Sequence, residues 1–246
     1  LAALAELEDE VDFGDLLKMS SLAPTSHQQE KFCATTNDFR SGNAKKAAHG
    51  LEDHMGISQN KKAEIIFQGV DAIREEFTNL VAAAKTPAEK EEAKDNLAIV
   101  TYVLDEPANA TEDMSNDGHS SVTRDSGREG MRLADFVKDE RAVKAKLEAT
   151  HVAALRIYSS NAYSQINDPL RNGTKPHPCA ATTYFIHEAI GKLRAVHANE
   201  ATETKVFWRG MKNLKLTDDF RTSGGTELAC MSTSTNREIV AEYAKS

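Results

Sequence analysis

The sequence predicts an α+β fold in which the helices come first and the strands come late. Apolar residues recur at helical spacing between residues 61 and 196. Short apolar runs bounded by turn residues, which is the pattern of buried strands, follow only at 205–209 and 228–232. Helices and strands that are segregated along the chain are typical of α+β folds, whereas βαβ folds alternate them.

The first predicted domain, residues 1–106, is a helical region. Between residues 61 and 85 one amphipathic helix is predicted from apolar residues spaced three or four apart, namely Ile66, Val70, Ile73, Phe77, Leu80 and Ala84. Thr86-Pro87-Ala88-Glu89 supplies an N-cap, a first-turn proline and a capping-box glutamate for a second helix. That helix ends near Leu104, with inward-facing Leu97, Val100 and Leu104. The short turn between the two helices predicts an antiparallel helical hairpin. Its apolar face is expected to pack in the core of this chain in preference to binding a partner helix.

A second domain, residues 131–246, is predicted beyond a flexible linker at 107–130. The linker is rich in Pro, Asn, Asp, Ser and Gly and has almost no aliphatic side chains. A first helix is then predicted to begin at Leu133. A second, longer helix is predicted to end at about Ser159, and its apolar positions are Val143, Leu147, Ala154, Leu155 and Tyr158. A short helix carries Tyr163 and Asn167 and ends before Pro169. A further helix over 181–196 faces inward through Ile186, Ile190 and Leu193.

Composition limits the classes of partner. A formal net charge of −8 and a pI near 5.5 argue against nucleic acid as the main partner. No apolar run approaches the roughly 20 residues of a membrane span, and the acidic start after Leu1 is unlike a secretory signal. Three cysteines without CxxC spacing favour reduced thiols and hence a cytoplasmic compartment. Histidines ten residues apart, at 177, 187 and 197, have no metal-ligand spacing, so no metal is expected.

Two late segments could bind an anion. Arg209 follows three apolar residues in Val206-Phe207-Trp208-Arg209-Gly210, and a strand-end guanidinium suits bidentate contact with a carboxylate or phosphate. By itself Arg209 is explained better by an ordinary ion pair between a strand-end arginine and an acidic residue. Ser232-Thr233-Ser234 ends the second run, and the alternation of a strand puts Ser232 and Ser234 on one face. Upstream, Tyr163 and Asn167 are four residues apart and share one helix face.

These motifs, taken in order, resemble those of the mono-ADP-ribosyltransferase family of the arginine–serine–glutamate class. The resemblance covers about 151–243 and rests on Tyr158, Tyr163, Asn167, Leu170-Arg171, Arg209 and Ser232-Thr233-Ser234. It implies that residues 131–246 are the first half of an ADP-ribosyltransferase-like fold, with helices followed by mixed β-strands. It also implies that NAD is the substrate and that Arg209 and Ser232 act in catalysis. The NAD-binding residues would be Tyr163, Asn167, Arg209, Gly210, Ser232, Thr233 and Ser234.

The resemblance further implies individual roles. Arg209 would hold the NAD phosphates, and Ser232 would hydrogen-bond in the nicotinamide-ribose site and steady a catalytic acid. Cleavage of the nicotinamide–ribose bond gives the sugar oxocarbenium character, which a carboxylate stabilises. The family carries that carboxylate in a Glu-x-Glu or Gln-x-Glu motif on a later strand, whereas Glu238 and Glu242 come too early and are expected to be solvated helix charges. Ala229 also replaces an asparagine found in some toxin members.

The expected reaction is transfer of ADP-ribose from NAD to a protein side chain, with release of nicotinamide. The family implies an arginine acceptor on a protein substrate. We expect the chain as given to be inactive, because the catalytic glutamate is missing from it. Two alternatives stay open, a non-catalytic helical interaction protein with a degenerate half-domain and an NAD glycohydrolase that uses water as the acceptor.

Overall fold

A computed structural model describes residues 51–105, 131–197, 206–209, 229–238 and 240–241. The chain divides into two compact units. One unit is Leu51–Asn199, and the other combines Leu1–Gly50 with Glu200–Ser246. Residues 1–50 of the predicted helical region and the predicted linker at 107–130 lie outside the described residues.

The described part of the unit Leu51–Asn199 is helical. Its helices are α1 (Leu51–Met55), α2 (Gln59–Gln68), α3 (Val70–Ala83), α4 (Pro87–Asp105), α5 (Leu133–Val137), α6 (Glu140–Lys144), α7 (Ala149–Tyr158), α8 (Tyr163–Asn172) and α9 (Ala180–His197). The most extensive packing is between α3 and α4 and between α7 and α9. Since α7 also packs on α3 and α4, these four long helices share one core.

The predicted helical hairpin is confirmed in α3 and α4. Thr86 Oγ1 accepts a hydrogen bond from the backbone of Glu89 at 3.2 Å, and the Glu89 carboxylate accepts one from the backbone of Thr86 at 3.1 Å. This reciprocal pair satisfies two backbone donors that would otherwise lack partners at the start of α4. The hairpin buries Ile73, Phe77, Ile99, Val100 and Val103, while Leu97 and Leu104 are only half-buried.

The prediction of one continuous helix from 61 to 85 is wrong, because Gly69 divides it into α2 and α3. Gly69 has φ 60° and ψ −123°, a conformation that only glycine adopts readily. A Cβ there would lie 3.2 Å from the Thr150 methyl group of α7, so the close approach of α7 also favours glycine. The break shifts the helical phase, and Ile65 is buried while Ile66 is exposed.

The long helix predicted to end near Ser159 is also interrupted. It is divided into α6 and α7 at Lys146, whose φ of 52° is left-handed and stops a helix. Val143, predicted to face inward, is therefore exposed, whereas Leu147 and Ala154 are buried. Periodicity alone could not reveal this change of phase.

The last two helices of the unit are close to prediction. Pro169 lies inside α8 and not just beyond it, because the helix continues to a left-handed C-cap at Gly173 with φ 67°. The predicted helix over 181–196 is confirmed as α9. It buries Ile186 but exposes Ile190.

The predicted α+β fold with mixed β-strands is contradicted. The described residues contain helices and one isolated antiparallel bridge, between Trp208 and Ser234, and no sheet. The strand prediction implies that Val206 and Phe207 are buried, yet Val206 is 46% exposed and Phe207 is 48% exposed. Runs of three or four apolar residues are too short to distinguish a buried strand from an irregular segment, which is why the prediction failed.

Helices from both predicted domains share one core. The guanidinium of Arg156 in α7 lies over the ring of Phe136 in α5, 4.0 Å from its centroid, and 6.0 Å from the ring centroid of Tyr102 in α4. The three aromatic and cationic side chains therefore join elements on both sides of residues 106–130. Within the described residues, no helix has both the length and the apolar character that a membrane span requires.

Candidate functional site

The segments that carry Arg209 and Ser232-Thr233-Ser234 lie side by side. The backbone N–H of Trp208 donates to the carbonyl of Ser234 at 2.7 Å, and the N–H of Ser234 donates to the carbonyl of Trp208 at 2.8 Å. Two bonds exchanged between the same two residues define a directly opposed antiparallel pair. Arg209 is thus the residue next to the bridge on one segment, and Ser232 is two residues from it on the other.

Exposure differs among these residues. Arg209 and Ser234 are half-buried, whereas Ser232 and Thr233 are exposed. A half-buried guanidinium beside exposed hydroxyl groups can bind an oxyanion, because the guanidinium is charged at all relevant pH values and the hydroxyls both donate and accept. Gly210, the other predicted NAD-binding residue of this segment, lies outside the described residues.

A short helical stretch begins directly after the bridge. Ser234 Oγ accepts from the backbone of Asn236 at 3.0 Å, and Asn236 Oδ1 accepts from the backbone of Glu238 at 2.9 Å. These contacts cap a helical stretch that includes 237, 238, 240 and 241. Arg237, its first residue, holds its guanidinium 5.1 Å from the ring centroid of Trp208. Glu238 is exposed, as predicted, and Glu242 lies outside the described residues.

Tyr163 and Asn167 lie on α8, but their surroundings differ. Tyr163 is the first residue of the helix and is exposed, whereas only 2% of the Asn167 surface is exposed. The Asn167 amide donates to the hydroxyl of Tyr158, at the end of α7, at 3.3 Å. Asn167 therefore takes part in joining α7 to α8. Tyr163 and Asn167 belong to the unit Leu51–Asn199, and Arg209 and Ser232 belong to the other unit.

Glu76 is a polar residue that sequence reasoning missed. Its carboxylate accepts from the backbone of Ala181, from the backbone of Thr182 at 3.1 Å and from Thr182 Oγ1 at 2.9 Å. It therefore caps the N-terminus of α9 from α3. Burial raises the pKa of Glu76 to about 7, and the three hydrogen bonds oppose that rise. The available signal was the start of α9 at Cys179-Ala180, where no Ser, Thr, Asp or Asn caps the helix.

His177 is the second buried titratable group near the start of α9. Its Nδ1 accepts from the backbone of Cys179 at 2.9 Å, and its Nε2 lies 3.0 Å from the carbonyl of Ile166. An accepting Nδ1 means that Nε2 carries the single proton and donates to Ile166. Burial lowers the pKa of His177 to about 4, so the ring is neutral at physiological pH.

A third polar cluster joins α7 to α9. His151 is buried, and its Nδ1 accepts from the backbone of Glu148 at 3.0 Å. Its Nε2 lies 3.1 Å from Glu188 Oε2 and 3.1 Å from Lys192 Nζ. Because Nδ1 already accepts, Nε2 donates to Glu188, and the cluster serves to fix two packed helices. In the described residues, no three His, Cys, Asp or Glu side chains are grouped so that they could hold a metal ion.

Tyr163 and Asn167 belong to one compact unit, and Arg209 with Ser232-Thr233-Ser234 belongs to the other. Comparison of this chain with protein-family models, with curated proteins and with solved structures finds no match.

Proposed function

We propose that this chain is part of an NAD-dependent protein mono-ADP-ribosyltransferase, which transfers ADP-ribose from NAD to a protein arginine and releases nicotinamide. The observation that carries this proposal is the backbone pair between Trp208 and Ser234. It holds the segment that ends in Arg209 beside Ser232-Thr233-Ser234, two of the motifs by which the sequence resembles that family.

Arg209 is the proposed phosphate-binding residue. The NAD diphosphate is an anion with oxygens spaced for a guanidinium fork, and two parallel N–H···O bonds give both affinity and orientation. A half-buried position favours this role, since partial desolvation strengthens a charge-assisted hydrogen bond. A lysine at the same position would keep the charge but lose the fork.

Ser232 is the proposed residue of the nicotinamide-ribose site. Ser232 is an exposed residue, which is compatible with contact to a ribose hydroxyl. The carboxylate that stabilises the oxocarbenium ion is not assigned to any described residue, because Glu238 lies on the exposed side of a capped helical stretch. Tyr163 and Asn167 stay a sequence prediction as NAD-binding residues.

NAD binding by the 246-residue chain is the direct test. We expect calorimetric titration to give a measurable Kd for NAD, and Arg209→Lys to weaken it about ten- to a hundredfold, since a lost charge-assisted hydrogen bond costs about 1.5–3 kcal/mol. The matched control is Arg194→Lys, an exposed arginine of α9. No heat of binding with the wild-type chain, or equal Kd values for Arg209→Lys and wild type, would contradict the proposal.

Label transfer separates transferase from glycohydrolase. In a longer chain that carries the family's Glu-x-Glu or Gln-x-Glu motif, NAD is labelled in the adenylate moiety and nicotinamide release is measured in parallel. A transferase then leaves label on an added arginine-rich protein. A glycohydrolase releases nicotinamide and free ADP-ribose, with no label on protein. Ser232→Ala is expected to lower nicotinamide release in either case, and unchanged release would remove the role given to Ser232.

A second candidate function is a non-catalytic helical interaction protein. It is favoured by the helices of 51–197 together with exposed Ile66 and Phe67 on α2, since Phe67 is 91% exposed. Sedimentation velocity of wild type and Phe67→Ser would test it. Concentration-dependent association that Phe67→Ser abolishes, in a chain that binds no NAD, would favour this candidate over the transferase.

A further inference from the structure

Four residues around the Trp208–Ser234 bridge form a closed ring of contacts, which we call the Trp208 ring. Its members are Trp208, Ser234, Asn236 and Arg237. We infer that Arg237 is a positioning residue of the NAD site, because by covering Trp208 it closes this ring and holds the Arg209 segment against Ser232-Thr233-Ser234. This inference rests on the proposed function.

The ring can be followed bond by bond. Trp208 and Ser234 exchange two backbone hydrogen bonds of 2.7 and 2.8 Å. The Ser234 hydroxyl accepts from the backbone of Asn236 at 3.0 Å, which turns the chain. The Asn236 side chain then caps the helical stretch that starts at Arg237, through its 2.9 Å bond to the backbone of Glu238. Arg237 closes this cycle of contacts, because its guanidinium lies 5.1 Å from the centroid of the Trp208 indole.

Arg237 matters because the pairing that it supports is small. Among the described residues, the backbone pairing of the two segments is one antiparallel bridge with two hydrogen bonds. Even a complete two-stranded hairpin is only marginally stable in water. A guanidinium within about 6 Å of an indole centroid adds an attraction that is strongest for tryptophan among the aromatic residues. The contact between Arg237 and Trp208 therefore adds to the pairing of the two segments.

The consequence for ligand binding follows from chain connectivity. Arg209 is bonded directly to Trp208, and Ser232 is two residues from Ser234, so the distance between the two proposed NAD contacts depends on the bridge. If the bridge opens, a ligand must bear the cost of ordering both segments, and its affinity falls. Arg237 itself need not contact NAD.

The first test is spectroscopic and needs no ligand. Trp208 is the only tryptophan of the chain, so tryptophan fluorescence and the single indole N–H resonance both report on the surroundings of Trp208. We expect Arg237→Ala to shift both signals, Arg237→Lys to give an intermediate shift, and Arg237→Met, which keeps an apolar stem without charge, to resemble Arg237→Ala. Arg194→Ala is the control and is expected to leave both signals unchanged.

The second test measures the Kd for NAD with the same variants of the 246-residue chain. We expect Arg237→Ala to weaken binding about two- to fivefold, which corresponds to the usual strength of an exposed cation–π contact, and Arg237→Lys to restore part of the affinity. In Trp208→Leu, which removes the partner, Arg237→Ala should have no further effect. A fold that was merely destabilised would show no such dependence on the partner.

The outcomes separate this inference from the proposed function. If wild type binds NAD but Arg237→Ala binds equally well, the positioning role is refuted and the function stands. If wild type binds no NAD, the proposed function fails and the positioning role fails with it, while a shift of the indole signal in Arg237→Ala would still identify the ring as a structural contact. Unchanged indole signals in Arg237→Ala would refute the ring itself.

Discussion

Glu76 and His177 are expected to give the helical unit opposite dependences of stability on pH. The pKa of Glu76 is raised by burial from its ordinary value of 4.5 to about 7. The folded state therefore binds a proton that the unfolded state has released between these two values, and stability falls as pH rises. The pKa of His177 is lowered by burial from 6.5 to about 4. Here the unfolded state binds the extra proton, and stability rises with pH.

The two contributions nearly cancel between pH 4.5 and 6.5. One proton of difference changes the free energy of unfolding by about 1.36 kcal/mol per pH unit, so each group alone contributes at most about 2.7 kcal/mol over these two pH units. In the wild-type protein neither dependence is visible by itself.

Substitution of either residue should reveal the contribution of the other. Relative to wild type, Glu76→Gln should make the stability increase more steeply with pH by up to about 1.36 kcal/mol per unit, because only His177 then titrates between its two values. His177→Gln should change the slope by a similar amount in the opposite direction. Each variant is also destabilised at every pH, as Gln cannot accept from all the donors around Glu76 and does not reproduce both hydrogen bonds of His177.

Urea denaturation followed by far-UV circular dichroism, at half-unit steps from pH 4.5 to 6.5, measures these slopes. The double variant should return to the wild-type slope, and Glu75→Gln, the exposed neighbour of Glu76, is the matched control. Slopes that are identical in wild type and in both single variants would refute the reasoning from burial. A slope that changes with the same sign in both variants would contradict the opposite directions in which burial shifts the pKa values of Glu76 and His177.

Three further predictions concern stability and use urea denaturation at pH 7. Gly69→Ala should lower the free energy of unfolding by about 1–2 kcal/mol, because φ is 60° and the new methyl group meets Thr150. Gly191→Ala, in open space on α9, should raise it by up to about 1 kcal/mol. Equal effects of the two substitutions would contradict this account. Asn96→Leu should raise stability by about 1 kcal/mol, since Asn96 is buried and its Nδ2 has no hydrogen-bond partner among the described residues, and a loss of stability would show that its amide is needed. Thr86→Ala should cost about 1 kcal/mol through the lost cap of α4, and no change would mean that the capping box contributes little.

The helices were predictable from the sequence because their signals are local. The proline-led start of α4 and its capping box can be read directly from Thr86 to Glu89, and the structure has the same bonds there. Helical phase was less predictable, since it depends on residues that break a helix without breaking the apolar pattern. Gly69 and Lys146 both adopt positive φ values, and each resets which side chains face the core. A lysine with positive φ gives no sequence signal at all.

The predicted sheet failed for a different reason. Two short apolar runs predict strands by their local pattern. A strand also needs a neighbouring strand that is distant in the sequence, and the local pattern does not show whether one is present. The two segments are nevertheless paired, through one antiparallel bridge between Trp208 and Ser234 and not through a sheet. Glu76 could not be found from its own surroundings in the sequence either, because its role as a cap depends on a helix that begins about a hundred residues later.

Asn167 can be explained both by the family-like motif and by ordinary packing, and the two explanations predict different results. Its buried amide donates to Tyr158, so the same two residues that resemble a transferase motif also join α7 to α8. If packing is their main role, Tyr158→Phe should cost about 1 kcal/mol of stability, since a buried donor loses this acceptor, while the Kd for NAD of the folded protein stays unchanged. If Asn167 binds NAD, loss of the Tyr158 hydroxyl that holds its amide should weaken binding at temperatures well below the unfolding transition. Thermal denaturation and NAD titration of Tyr158→Phe, with Tyr184→Phe as the control tyrosine, measure both quantities. A loss of affinity without a loss of stability would contradict the packing role, because the hydroxyl would then contribute to the ligand and not to the contact between the helices.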